Sequence, residues 1–409
     1  MGESFNLVKK PKKEDDVVEE EEDIEIEDDD PTSKHRKKDN GDARKRLFMV
    51  MGVMVVGVLL LLFILFLVSV FAGRNYSYDD VEEILKEAAI SYFADYPESL
   101  PQNDGDVVEI DAVNLVYAGK MKDLSEYVKD EVACTGNVQV EKAGEEYLYT
   151  PFLYCGDTYY SVELFNKVLT DNPTVTAGDG IYTYNNNYVF RGENVNNYVQ
   201  LDNSLWRIVK ITPDGNVVLI HNSGLDYYQP WDNRYNEERL YESGINTYNV
   251  SRMKEYLEKI YTNPKEEDGE VIFSDKDKAR IVSYTVCVGS RKPESESKNN
   301  TEECRQKVQE QKLGLLTLSD YLYASLDTSC KSASTKACMN YNYLSLDDEW
   351  WLVTPNADDT STVYKVDRMG VVKADIASTY SKVRPVVYLN SHLMYASGKG
   401  TEEDPYKVK

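Results

Sequence analysis

The chain has 409 residues, with 46 Lys and Arg against 71 Asp and Glu, a net charge of −25. So negative a chain repels phosphate and disfavours a nucleic-acid partner. Six cysteines are too few for a small disulfide scaffold, and three histidines far apart in sequence, His35, His221 and His392, leave little for a His-based metal site.

Residues 1–46 carry 11 basic and 16 acidic residues, and thirteen of the seventeen positions Glu14 to Asp30 are acidic. With almost no aromatic residue such a tail buries too little surface to offset chain entropy, so it is predicted to be disordered. The acidic block is open to two readings, a solvated charge run or a docking tail for a basic cytosolic partner. The basic run Lys34 to Arg46 suits anionic membrane lipid. Leu47 to Gly73 then holds no charged residue over 27 positions, and ~30 Å of hydrocarbon needs only about 20 apolar residues. The expectation is an uncleaved signal-anchor helix over 47–73, since the apolar stretch is too long for a leader and 46 residues precede it. Seven Lys and Arg residues between Lys34 and Arg46 precede the span and only Arg74 closely follows it, which places the N-terminus in the cytoplasm and the rest outside. All six cysteines follow the span, an even count that reads as disulfides in an oxidising compartment.

Beyond the span, Ser77-Tyr-Asp-Asp80 has the form of a capping box. Val81, Ile84, Leu85, Ala88, Ala89 and Tyr92 fall on one face of a helix that stops by Tyr96, ahead of Pro97. A short helix near Asp111 and two strand runs, Gly136 to Glu141 and Tyr147 to Cys155, follow. Antiparallel pairing of these runs sets Cys134 opposite Cys155. An apolar helix leading into an amphipathic helix, then Cys134-Thr-Gly-Asn-Val-Gln-Val and Tyr147-Leu-Tyr-Thr-Pro-Phe-Leu-Tyr-Cys155, resembles bacterial type IV pilins and pseudopilins over about Asn75 to Leu169. The resemblance implies a pilin-like stalk domain over 74–170. The early acidic residue that pilins carry in the apolar helix is absent between Leu47 and Gly73.

Residues 171–179, with Pro173 and Gly178, read as a linker, and 180–409 as a distal domain. Strands are predicted at Tyr188 to Arg191, Tyr198 to Leu201, Leu205 to Ile211 and Asn216 to His221, the last two joined by the turn Pro213-Asp-Gly215. Helices near Val250 to Tyr261 and Leu318 to Leu326 precede strands at Trp350 to Val353, Thr362 to Asp367, Gly370 to Ala374 and Val383 to Leu389. Pro385 puts the last strand at an edge or makes it begin there. The motifs Leu205-Trp-Arg-Ile-Val209, Trp350-Trp-Leu-Val-Thr-Pro355 and Val383-Arg-Pro-Val-Val-Tyr-Leu389 resemble an uncharacterised ectodomain family of bacterial surface proteins. That family is in turn similar to the C-type-lectin-like fold shared with formylglycine-generating enzymes. The expected fold class is therefore α+β: one membrane helix, a pilin-like stalk of helix and β-hairpin, and a C-type-lectin-like distal domain.

Pairing Cys287 with Cys304 and Cys330 with Cys338 is the simplest arrangement of the remaining cysteines. The alternative makes one pair the catalytic thiols that the formylglycine-generating resemblance implies. No nucleophile elbow, phosphate loop, zinc-binding helix or dinucleotide fingerprint occurs, so no catalytic residue, metal site or cofactor is nominated and a non-enzyme is expected. Asp347-Asp-Glu349 and Asp358-Asp359 read as solvated turns over weak calcium sites.

The candidate ligand-binding residues are Tyr227, Tyr228, Trp231, Asp232, Arg234 and Tyr235, a turn-rich segment combining the side chains that form binding hot spots. The competing reading folds this segment back as a cap on the core. The expected function is a membrane-anchored extracytoplasmic binding or adhesion protein, its partner a cell-wall polymer, glycan or surface protein. A structural subunit of a pilin-like assembly and an envelope-modifying enzyme are the rivals.

Overall fold

The computed structural model describes residues 54, 57, 76–103, 105–128, 133–143, 145–201, 203–235, 243–262 and 273–409. The predicted tail (1–46) and span (47–73) lie outside these residues, except for Met54 and Gly57, both helical. Among the described residues no helix is long and apolar enough to cross a membrane. The fold is mixed α+β with more strand than helix, and Asn75–Lys409 forms one compact unit built on two hydrophobic cores.

The first core begins at helix α1 (Tyr78–Asp95). Its start is fixed by the capping box read from the sequence: the Ser77 N–H donates to Asp80 Oδ2 at 2.8 Å and the Asp80 N–H to Ser77 Oγ at 3.2 Å. The stripe Val81, Leu85, Ala88, Ala89 and Phe93 is buried against an antiparallel sheet of β1 (Val107–Asp111), β2 (Thr135–Ala143), β3 (Glu146–Cys155) and β4 (Tyr159–Tyr160), in that order. Helix α2 (Ala112–Tyr117) joins β1 to β2 and buries Leu115. At Gly136 on β2 an added Cβ would lie 2.9 Å from Leu85 Cδ1 and 3.1 Å from the Phe152 carbonyl oxygen, so the helix rests on the strand backbone there. The β2–β3 register puts Thr135 opposite Tyr154, which brings Cys134 to Cys155, and the two are disulfide-bonded.

The second core holds α3 (Leu164–Asp171), β5 (Gly180–Tyr184), β6 (Asn187–Arg191), β7 (Tyr198–Leu201), β8 (Ser204–Ile211), β9 (Val217–His221), β10 (Gln229–Pro230), α4 (Arg252–Thr262), α5 (Asp275–Arg280), β11 (Ile281–Val282), β12 (Tyr284–Cys287) and β13 (Lys307–Gln311). After these come α6 (Leu318–Ala324), β14 (Trp350–Pro355), β15 (Thr362–Val366), β16 (Val372–Ile376), β17 (Tyr380–Ser381), β18 (Val386–Leu389), β19 (Tyr395–Ser397) and β20 (Tyr406–Val408). Its main sheet runs β11-β18-β9-β8-β7-β20-β19, with β6 also pairing with β8 and β5 with β6. Strand β20 joins β7 in parallel, so the C-terminal strand closes onto the start of the domain. All five residues of β9 and all six of β14 are buried, His221 and Thr354 included, as their mostly apolar runs require of strands covered on both faces. Strand β18 starts immediately after Pro385 and lies between β11 and β9. The proline therefore marks a beginning, not an edge.

The boundary between the two regions differs from the linker read at 171–179. Leu164 and Val168 of α3 are buried in the second core, because the helix lays its apolar stripe on the distal sheet. The chain passes from one core to the other near residues 161–163, where the Leu164 N–H donates to the Leu393 carbonyl (2.7 Å) and the Tyr395 N–H to the Val162 carbonyl (3.0 Å). Lys409 reaches back across this junction to Glu82 Oε2 at 2.7 Å and Asp79 Oδ1 at 2.6 Å.

Candidate functional site

Segment 227–235 is divided by the structure. Its middle turns inward: β10 pairs with β17, Gln229 opposite Ser381 and Pro230 opposite Tyr380, and the Met253 N–H donates to the Trp231 carbonyl at 2.9 Å. These contacts seat the Trp231 indole in the core, its ring centroid 5.8 Å from that of Tyr248. Asp232 is equally buried. Its carboxylate accepts from the Arg234 N–H at 2.9 Å, from Arg234 Nε at 3.0 Å and from the Arg252 N–H at 3.3 Å. The expectation that Trp231 and Asp232 face a ligand is thereby corrected: an indole offers too much apolar area to leave in water beside an open core position, and Asp232 is taken up in holding the backbone turn. Arg234 is half-buried and tied to Asp232 and the Val250 carbonyl.

Three of the six candidates remain accessible: Tyr227 at 51 %, Tyr235 at 52 % and Tyr228 at 36 % exposure. Tyr380, paired opposite Pro230, is exposed as well. The Tyr228 hydroxyl donates to Asp348 Oδ1 at 2.6 Å, and Asp348 also pairs with Lys382 at 3.1 Å. The hydrogen bond from Tyr228 raises its phenol above the ordinary range and fixes the ring in place. Glu349 is paired with Lys365 at 2.9 Å. Among the described residues no group of three or more His, Cys, Asp or Glu is arranged to hold a metal ion.

The cysteines form Cys134–Cys155, Cys287–Cys304 and Cys330–Cys338, with none free. Three structural bridges are the chemistry of an oxidising, extracytoplasmic setting.

A second group of polar residues went unnoticed in the sequence. Lys210 of β8 meets Asp320 of α6 at 2.9 Å, both largely buried. Asp320 also accepts from Asn300 Nδ2 at 3.1 Å and has Thr317 Oγ1 within 2.8 Å. Burial works against both charges, but each partner overrides it, so Lys210 is held above and Asp320 below the ordinary range. The pair lines a pocket of about 160 Å³ together with Tyr184, Asn185, Asn187, Val189, Lys298, Asn299, Asn300 and Tyr323. A further cleft, of about 1010 Å³ between the two cores, has Lys409 paired with Glu82, Arg280 with Asp277, and His392 Nε2 beside Glu141. It is the packing junction of the two regions.

Residues 214–391 match the family model described as Domain of unknown function (DUF6273). The match takes in segment 227–235 and Asp320 and leaves out Tyr184 and Lys210. No curated protein and no solved structure matches the chain.

Proposed function

We propose that the chain is a binding module of the bacterial envelope, held by a signal-anchor span at 47–73 with its N-terminus in the cytoplasm, and that its ligand is an envelope glycan or cell-wall polymer. In this reading α1 on its four-stranded sheet is a pilin-like stalk and the second core a C-type-lectin-like head. The observation that carries the proposal is the division of segment 227–235: Trp231 and Asp232 lock its centre into the core, while Tyr227, Tyr228 and Tyr235 stay accessible on either side. Tyrosines held on a rigid support lose little side-chain entropy on contact, and their faces stack on sugar rings. The bridges suit the compartment, and the uncharged run 47–73 supplies the anchor.

The test is co-sedimentation of the full-length protein with purified peptidoglycan and with insoluble wall polysaccharide, wild type against a Tyr227→Ala/Tyr235→Ala double variant. The expected outcome is retention of the wild type on one of the two and a loss of about fivefold or more for the double variant, with unchanged unfolding. Equal retention of both proteins, or turnover of the polymer by the wild type, contradicts the proposal.

A further inference from the structure

We propose that the pocket between the β5–β6 turn, residues 298–300 and α6 binds one six-membered sugar ring bearing a carboxylate, a uronic acid unit. This uses no residue of segment 227–235 and stands whether or not that segment binds a polymer.

Size comes first. The pocket holds about 160 Å³, close to the cavity of about 150 Å³ that takes a benzene ring, and its lining residues Asn185 and Asn299 are exposed, so the hydroxyls of a sugar ring can project out of it. A further cavity of about 60 Å³ shares Lys210, Asn300 and Asp320 with it, which leaves room for a substituent on the ring.

One wall is flat and rigid. The Tyr184 and Tyr323 rings stack at 4.0 Å and 19°. The Arg191 guanidinium lies 4.4 Å from the Tyr323 centroid and 4.7 Å from that of Tyr182. It is pinned there by donating from Nε to the Tyr323 carbonyl and from Nη2 to the Ser325 carbonyl, both at 2.7 Å. Tyr184 and Tyr323 line the pocket, Arg191 and Tyr182 brace their stack from outside the lining, and aromatic faces held in this way are what a sugar ring packs on.

Lys210 and Lys298 bring spare donors to the lining. Asp320 already accepts from Lys210 and Asn300, and the one Thr317 O–H, 2.8 Å from Asp320 Oδ2 and 2.6 Å from Asn300 Oδ1, serves one of the two. Each ammonium has three N–H groups. Lys210 spends one on Asp320 and Lys298 one on the Cys330 carbonyl. Two lysines against one carboxylate leave the lining one positive charge in excess, within a chain of net charge −25. One excess charge with spare donors matches a monoanionic carboxylate better than a phosphate dianion. Burial, helped by Arg191, pulls the Lys298 ammonium down to about 8, and it is still charged at neutral pH.

The experiment is calorimetric titration of the full-length protein at pH 7 with free glucuronate, glucose, acetate and inorganic phosphate, in the wild type and in Tyr184→Ala, Lys298→Gln and Tyr227→Ala. Tyr184 and Lys298 are both partly exposed, and thermal unfolding of each variant is recorded alongside. The expected result is glucuronate binding, at least about tenfold tighter than glucose or acetate, reduced about tenfold by Lys298→Gln. Tyr184→Ala weakens it and Tyr227→Ala leaves it unchanged. No glucuronate binding, equal affinity for glucose, tighter binding of phosphate, or glucuronate affinity unaltered in both folded pocket variants overturns the proposal. Polymer retention lost in Tyr227→Ala/Tyr235→Ala while glucuronate binding persists separates this site from the aromatic segment.

Discussion

The ring centroids of Trp231 and Trp351 lie 6.2 Å apart at 61°, with both side chains fully buried. Trp231→Ala therefore empties a core site and is expected to cost about 3–5 kcal/mol. Tyr227→Ala, at an exposed ring, stays within about 0.5 kcal/mol of wild type. Urea unfolding of the two variants checks the contrast, and a neutral Trp231→Ala would mean that the segment does not dock as described.

Acid should destabilise the protein through His221. Its imidazole is buried at the end of β9 in a T-shaped contact with Trp206, 5.0 Å between centroids. Burial, with Arg384 adding to it and Asp226 opposing, pulls it from 6.5 down to about 4. An unfolded chain takes up a proton below 6.5 that the folded state refuses until about 4, so stability falls as pH drops through that window, by about 3 kcal/mol in all. His221→Phe keeps a ring in the site and removes the titration. Unfolding curves at several pH values between neutral and acid should be flatter for the variant by that amount.

The bridges should contribute in the order of the loops they close, the differences being small because the dependence on loop length is logarithmic. Sequence separations are 21 for Cys134–Cys155, 17 for Cys287–Cys304 and 8 for Cys330–Cys338. Chain-entropy arithmetic gives about 3 kcal/mol for the first and about 2.5 kcal/mol for the last. Paired Cys→Ser variants, each compared by urea unfolding, are expected to follow this order, and non-reducing peptide mapping should recover these three pairs and no crossed ones.

Uronate affinity should depend on pH through Lys298. The groups acting on its ammonium are Arg191, which lowers it, and Asp327 and Glu296, which raise it; Lys210 and Asp320 line the same pocket as a closed pair. Because Lys298 loses its proton near 8, affinity is expected to decline as pH rises through that value and to be nearly independent of pH there in Lys298→Gln. A wild-type profile flat through the same range would contradict a charged Lys298 contact.

Local features of the fold were legible in the sequence because neighbours along the chain determine them. The Ser77 cap and the apolar stripe from Val81 to Tyr92 anticipate α1, the β-branched runs anticipate β8 and β9, and Pro385 marks the start of β18. The hairpin places Cys134 by Cys155 from register alone. What escaped depends on distant partners. Trp231 turns inward because β10 finds β17 about 150 residues later and because Met253 closes on its carbonyl. Lys210 and Asp320 are 110 positions apart; the sequence marks Asp320 only as the third residue of the helix capped by Thr317, with nothing to join it to Lys210. Helix α3 was within reach: Leu164, Val168 and their partly buried neighbours Phe165 and Leu169 repeat at helical spacing.

The most direct measurement is residue-resolved tyrosine footprinting of the full-length protein, with and without solubilised cell-wall glycan fragments. Protection is expected at Tyr227, Tyr228 and Tyr235, which are accessible in the free protein, and no change at Trp231, which is already enclosed. Saturating fragments that leave all three tyrosines as reactive as before, or that protect only the opposite elements of the domain, would contradict a contact surface at this segment.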